Sequence, residues 1–270
     1  MSEVVRRYYD GSVEFEWNRL ARAYGRLEFE STCRLIDEYF PSEGRVADIG
    51  GGPGRYAIEL ARRGYRVSLF DVSEEAIRFA QQRFEEQGLG VEAAARADAT
   101  DLSGLPSSSY DAGLLLGPLY HLVDEENRLR ALNEFRRILR PGAPGLVGFI
   151  NPWGILRAGL EEFPDVYADG DRISRLLGST VQVGEQRSFT EAAFLTPPQA
   201  LSEIRSVGLA VETRAGVEGF ASGMLVQVAR IAEDDPAAYD HIVRLAVETS
   251  VLPAFRDCTE HLHVVVRKLG

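Results

Sequence analysis

Residues 46–54 read Val-Ala-Asp-Ile-Gly-Gly-Gly-Pro-Gly, an apolar run carrying Asp48 and then a turn crowded with Gly50, Gly51, Gly52 and Gly54. Glycines let backbone N–H groups come close to a ligand. A helix expected over 55–63 would aim its positive end at a ligand carboxylate or phosphate. Asp71 closes a second apolar run at 66–72, where an acid can accept hydrogen bonds from both hydroxyls of a ribose. A third run, 91–98, leads into Ala97-Asp98-Ala99-Thr100, and a fourth, 110–117, into Pro118-Leu119-Tyr120-His121. A neutral imidazole is suited to taking a proton near pH 7, so His121 is the first candidate for a base. Tyr120 is a candidate to hydrogen-bond a substrate. Packing is the plain alternative for both. The chemistry in view is nucleoside binding next to a site that can accept a proton.

These residues fall at the ends of strands that alternate with helices. Further strands are expected at 145–150, 209–215 and 261–269, and helices at 28–40, 124–139 and 236–249, with another opening at Thr196-Pro197-Pro198. Asp124 is a candidate helix cap, and Thr196 ahead of two prolines is another. The pattern predicts one α/β domain over 1–270. Residues 1–40 form an N-terminal helical cap marked by Trp17, Leu20, Tyr24, Leu27, Phe29 and Leu35. Residues 41–150 form a cofactor-binding half. Residues 151–196 and 216–258 exceed what an α/β connection needs, about 2–6 residues. Both leave the carboxyl edge of the sheet, where ligands bind in open α/β folds, so they are expected to form lids over substrate. His261 and His263 share one face of the last strand and read most simply as packed residues.

The charge balance narrows the partners. Thirty basic against 41 acidic residues give a net charge of −11, which disfavours a broad nucleic-acid surface, since phosphate binding leans on clustered Lys and Arg. Cys33 and Cys258 are the only two cysteines. They read as free thiols of a reducing cytoplasm, and no Cys/His spacing suggests a metal. No apolar run reaches about 18 residues, so no membrane span is expected.

The Asp48–Gly-x-Gly-x-Gly run resembles motif I of the class I S-adenosylmethionine-dependent methyltransferases, with Arg55 where a dinucleotide fingerprint would want its last glycine. Gly-Gly-Gly-Pro-Gly-Arg-Tyr-Ala-Ile and Leu-Leu-Leu-Gly-Pro-Leu-Tyr-His-Leu resemble a broad bacterial group within that family. The resemblance implies a Rossmann-like, mostly parallel seven-stranded sheet with an antiparallel last strand and helices on both faces. It implies S-adenosylmethionine as cofactor, held by Asp48, Gly50, Gly51, Gly52, Gly54, Arg55, Asp71, Val72, Asp98, Ala99, Leu116 and Gly117. Asp48 would stand near the methionyl amino group, Asp71 at the ribose, and Asp98 with the Ala99 N–H at the adenine. The acceptor would be an oxygen, nitrogen or sulfur atom of a small molecule, and a homodimer is compatible with the sequence. Gly117-Pro118-Leu119-Tyr120 departs from the Asn-Pro-Pro-Tyr type of motif that methylates base amino groups, which disfavours nucleic acid. The competing readings are an NAD(P)-dependent oxidoreductase and a non-catalytic S-adenosylmethionine-binding module.

Overall fold

The computed structural model describes residues 2–182 and 190–270; residues 183–189 of the expected first lid lie outside the described residues. Among the described residues one sheet contains β1 (Arg45–Ile49), β2 (Arg66–Asp71), β3 (Ala93–Arg96), β4 (Ala112–Leu115), β5 (Pro144–Ile150), β6 (Thr180–Gln182), β7 (Ala192–Phe194), β8 (Leu209–Gly216) and β9 (His261–Lys268). The helices are α1 (Glu3–Gly11), α2 (Val13–Arg19), α3 (Ala23–Tyr39), α4 (Arg55–Arg62), α5 (Glu74–Glu86), α6 (Glu125–Ile138), α7 (Pro152–Glu162), α8 (Gly170–Arg175), α9 (Pro197–Ser206), α10 (Leu225–Asp234), α11 (Pro236–Thr249) and α12 (Pro253–Arg256).

Strands β3, β2, β1, β4 and β5 are parallel neighbours in that order. β9 runs antiparallel between β5 and β8, pairing His261 with Ile150 and Leu262 with Gly216. The expected core topology is therefore present, with two additions. β7 joins the tip of β5 through Ile150 and Phe194, and β6 pairs antiparallel with β7. Each is three residues long, too short for alternation to register as a sequence pattern. Edge strand β3 is four residues rather than the expected run over 91–98.

Alternation along β1 separates the two sides of the sheet. Val46 belongs to an apolar cluster with Leu35, Ile36, Ile58 and Leu60 from α3 and α4. Ala47 and Ile49 belong to a second cluster with Phe135 of α6 and Leu201 of α9. Helices thus cover both faces, as the apolar strands require. The strand order reverses between β1 and β4, and an open α/β sheet has its ligand crevice at the carboxyl ends of the strands flanking that point. Gly113 and Gly145 lie side by side in register. A Cβ at either would stand 2.7 or 2.6 Å from the Phe135 ring, so their absence of side chain lets α6 seat against β4 and β5.

One buried ion pair fixes the segment after β4. Arg128 on α6 donates through Nε and Nη2 to the Glu203 carboxylate on α9, at 3.0 and 2.7 Å. Its Nη1 donates to the carbonyls of Leu122 and Val123, 2.9 Å each. The guanidinium therefore ties two helices to the turn that carries Tyr120 and His121. Removing one member of a buried pair leaves the other charge without compensation. Glu203→Ala is expected to lower unfolding free energy by about 3–5 kcal/mol, measured by urea denaturation; a loss comparable to an exposed pair would show that the carbonyl contacts alone hold the turn.

Candidate active site

The turn after β1 is shaped by backbone conformations that L side chains rarely adopt. Gly50, Gly52 and Gly54 have φ of +71°, +54° and +84°, the left-handed region that glycine enters without strain. Side chains at Gly50 or Gly51 would also collide with Pro118 or with the Asp48 carboxylate. Strand β2 holds this turn from beside it. Gly50 N–H donates to the Phe70 carbonyl at 2.6 Å, and Gly52 N–H donates to Asp71 Oδ2 at 2.8 Å. Asp71 Oδ1 accepts from Ser73 N–H, also at 2.8 Å. Each carboxylate oxygen keeps acceptor capacity for a ribose hydroxyl. Burial pushes the Asp71 carboxyl upward, while the backbone N–H donors favour its charged form.

Asp48 sits beneath the turn and is 2% exposed. Its Oδ2 is buried with no hydrogen-bond partner. Burial first, and the Asp71 charge second, push its carboxyl up to about 7. A buried acceptor left without a donor is costly, and an amino group above the turn would satisfy it. The chain's residues thus fit a nucleoside that carries an ammonium group.

One cleft joins the two halves of the site. Asp48, Gly50, Gly51, Gly52, Arg55, Asp71 and Val72 line it from the turn, and Ala99, Leu116, Gly117, Tyr120 and His121 line it from the other side. Two of the sequence candidates stand off the lining. Gly54 is the N-cap of α4, and Asp98 Oδ1 accepts from the Thr100 N–H and hydroxyl at 2.9 and 2.8 Å. Arg55 places its guanidinium 4.7 Å from the Trp17 ring and 5.9 Å from Phe29, so the cap aromatics share it with the cleft.

Helix α1 closes the cleft from above. Asp10 accepts a hydrogen bond from Ser73 at 2.6 Å, and Ser2 donates to Glu191 at 2.6 Å. Tyr9 pairs through its hydroxyl with His121 Nε2 at 2.6 Å. His121 Nδ1 meets the Glu191 carbonyl at 3.0 Å, which assigns the ring proton to Nδ1. Both ring nitrogens are engaged, and burial lowers the imidazole pKa to about 4. The space between cap, turn and β4 is about 100 Å³.

Beside Tyr120 lies a cluster of buried charges that spacing alone did not single out. Arg19 Nη1 and Nη2 donate to Glu28 at 2.6 and 3.2 Å, and Arg19 Nε stands 3.4 Å from Glu16. Burial opposes ionisation of Glu28, but Arg19 overrides it and holds the carboxyl at about 2. Glu16, Arg19 and Glu28 all line the cleft. Deeper, Glu218 Oε1 accepts from His261 Nδ1 at 2.6 Å, and Glu260 accepts from Tyr24 and from Gly223 N–H. Burial and the Glu218 charge push Glu260 up to about 7. His263 instead pairs with Thr32 at 3.0 Å inside the core. The available sequence signal was Glu28 on the buried face of α3, since a buried acid needs a partner.

A methyltransferase-domain family model matches residues 46–142. The chain is 30% identical over 156 residues to a tRNA 5-carboxymethoxyuridine methyltransferase of Escherichia coli K12, covering 56% of this chain and 59% of that protein. The chain thus spans little more than half the length of that relative. It is 26% identical to a ubiquinone biosynthesis O-methyltransferase of Xanthomonas axonopodis, covering 71% of each. Among solved structures it superposes on an S-adenosylmethionine-dependent methyltransferase of Methanosarcina mazei with TM-score 0.59 and 20% identity, covering 87% of this chain and 97% of that one. A possible histamine N-methyltransferase of Thermotoga maritima gives TM-score 0.58 and 19% identity over 97% and 99% of the two chains.

The histidines set opposite pH limits on stability. His121 and His263 have folded pKa values lowered to about 4, below the unfolded value near 6.5. Their contribution is complete above about 6.5 and is lost as pH falls toward about 4, about 3 kcal/mol each. His261, raised to about 9, contributes fully below about 6.5 and loses that contribution as pH rises through about 9. Urea unfolding across pH should therefore show a maximum near neutrality; a flat profile from about 4 to 9 would contradict the assignment.

Proposed function

We propose that the chain is a class I S-adenosylmethionine-dependent methyltransferase, an enzyme that methylates an oxygen, nitrogen or sulfur atom of a small molecule; the methyltransferase-domain match over residues 46–142 and the shared fold support this. The observation that carries this reading is the Asp71 carboxylate, locked to the glycine turn by Gly52 N–H with acceptor capacity left toward the cleft. When bound, the cofactor supplies a methyl group on a positively charged sulfur.

The chain's own work is to bind, align and enclose. Asp71 takes the ribose hydroxyls, and the orphaned Asp48 oxygen takes the methionyl amino group directly or through water. The Ala99 N–H meets the adenine, Asp98, off the lining and bonded to Thr100, holds the neighbouring turn in place, and Val72, Leu116 and Gly117 border the cofactor. Tyr120 and His121 stand where the acceptor approaches. With both nitrogens engaged, His121 acts as a base only after Tyr9 releases it; as observed, it fastens the cap to the β4 turn. The cleft is narrow while α1 is seated over it, which supports a lid role for the N-terminal helices. The acidic balance, 41 against 30, supports a small acceptor over a nucleic acid, although the E. coli relative acts on tRNA. Among the described residues no helix is long and apolar enough to cross a membrane, and Cys33 and Cys258 are free thiols, in keeping with a cytoplasmic enzyme.

Saturating S-adenosylhomocysteine is expected to stabilise the protein by about 2–4 kcal/mol in thermal unfolding, with no effect of NAD or NADP. Stabilisation by NAD alone overturns the reading. S-adenosylhomocysteine formation is then measured with phenol, 4-nitrophenol, tyramine, thiophenol and bulk tRNA. Turnover of tRNA alone would move the acceptor to nucleic acid, and binding without turnover of any acceptor would favour a sensor. Asp71→Ala should weaken S-adenosylhomocysteine by about 10- to 150-fold, from loss of a charged-group hydrogen bond of about 1.5–3 kcal/mol. Calorimetry checks it, and unchanged affinity would mean the ribose lies elsewhere.

A further inference from the structure

Glu218 and His261 form a hydrogen-bonded pair at the carboxyl edge of the sheet. His261 opens β9, opposite Ile150 at the end of β5, and Glu218 follows β8 in the neighbouring turn. Glu218 is 2% exposed. It accepts at both oxygens from the same residue: Oε1 from the imidazole Nδ1 at 2.6 Å and Oε2 from the His261 backbone N–H at 3.3 Å. This double contact fixes the tautomer and the ring orientation. The His261 side chain retains 25% exposure, and Nε2 makes no hydrogen bond within the described residues. Ligating atoms of Glu28, Glu218 and His261 lie within 4.8 Å of one another, and Glu28 lines the same cleft as the glycine turn and Tyr120. A carboxylate-oriented imidazole with one open nitrogen beside a substrate cleft is the arrangement a general base requires.

Resting on the methyltransferase reading above, we propose that His261, oriented by Glu218, is the base that deprotonates a hydroxyl acceptor. The acceptor O–H proton passes to His261 Nε2, and the oxygen lone pair forms the new O–CH3 bond. The methyl carbon–sulfur bond breaks with its electron pair going to sulfur, which leaves S-adenosylhomocysteine, and the imidazolium later returns its proton to solvent. Arg19 keeps Glu28 ionised, so Glu28 is not itself the acceptor of that proton.

The same three residues could be taken as metal ligands, but the spacing argues otherwise. Two ligands of one ion, each about 2.0–2.2 Å away, would stand further apart than the 2.6 Å between Glu218 and His261. Arg19 also already occupies both oxygens of Glu28.

The groups facing His261 predict its titration. Glu218, Glu28 of α3 and Glu260 favour its cation, as does Glu162 at the end of α7. Burial, Arg19 of α2 and His263 on its own strand oppose it. The carboxylates prevail, Glu218 foremost, and raise the imidazole to about 9. The neutral base is the working form, so turnover of phenol should climb with pH and bend near about 9. Glu218→Gln should move that bend to lower pH, which a merely structural glutamate would not do.

The test uses the full chain with S-adenosylmethionine, and phenol against 4-nitrophenol, which is already ionised in mildly alkaline buffer. His261→Gln should lose about 10²–10⁴-fold in turnover of phenol and less than about tenfold with 4-nitrophenol, with S-adenosylhomocysteine affinity kept. Independently of activity, 15N-histidine NMR should show His261 cationic at neutral pH, with its titration shifted down by Glu218→Gln and its fold intact. Equal losses on both phenols, no loss on either, or a His261 titration indifferent to Glu218 would each overturn the proposal. So would wild-type turnover confined to amines or thiols, or activity abolished by a chelator and restored by magnesium or zinc. Absence of cofactor binding in the wild type would instead sink the methyltransferase reading.

Discussion

The carboxylate of Asp71 is bonded to two strand–helix junctions at once, and the site depends on that. Gly52 N–H reaches it from the turn after β1, and Ser73 N–H from the start of α5. With Gly50 N–H on the Phe70 carbonyl, these bonds stitch neighbouring parallel strands together beyond the end of their ladder. A turn with three residues at positive φ would otherwise sample many conformations. Here the neighbouring strand selects one, and the carboxylate that selects it is the same one that lines the cleft.

The cap is a second consequence of the same geometry. Asp10 reaches Ser73, one residue past the Asp71–Val72 pair that lines the cleft, so α1 rests on the β2 end of the cleft. Tyr9 reaches His121, so the same helix also rests on the β4 end. A single short helix therefore touches both ends of the cleft. Val5 is its one fully buried side chain, so α1 is held to the rest of the protein mainly by polar contacts and opens at lower cost than the core helices.

Local features were legible in the sequence and assembled ones were not. The apolar run with Asp48, the glycine turn and Asp71 are contiguous signals, because backbone conformation and strand order decide them. The antiparallel last strand was also legible, through the family resemblance. Helix 236–249 matched in both bounds, since Pro236 and an N-cap carboxylate at Asp235 mark its start. Asp124 stands at the expected N-cap of α6, yet makes no capping hydrogen bond there; backbone geometry places the residue without requiring its side chain. β6 and β7 escaped notice because three residues carry no period. The cluster of Arg19, Glu28, Glu218 and His261 escaped because its members come from α2, α3, a turn and β9, and no spacing along the chain brings them together.

That cluster also explains why the two histidines of β9 differ although they share a face. His263, two residues further into the sheet, meets the Thr32 hydroxyl; burial dominates, the Glu28 charge is opposed by His261 and Arg19, and the ring is held neutral. His261, at the strand's first position, meets Glu218 at the open edge, and the carboxylate outweighs burial. One strand thus carries a packing histidine and a titratable one, separated by a single pleat repeat of about 6.8 Å. Position relative to the carboxyl edge, rather than residue type, decides which of them can do chemistry. The same rule separates Asp71, at the end of β2, from Ser68 within it, and it places every candidate reacting group of this protein on one rim of the sheet.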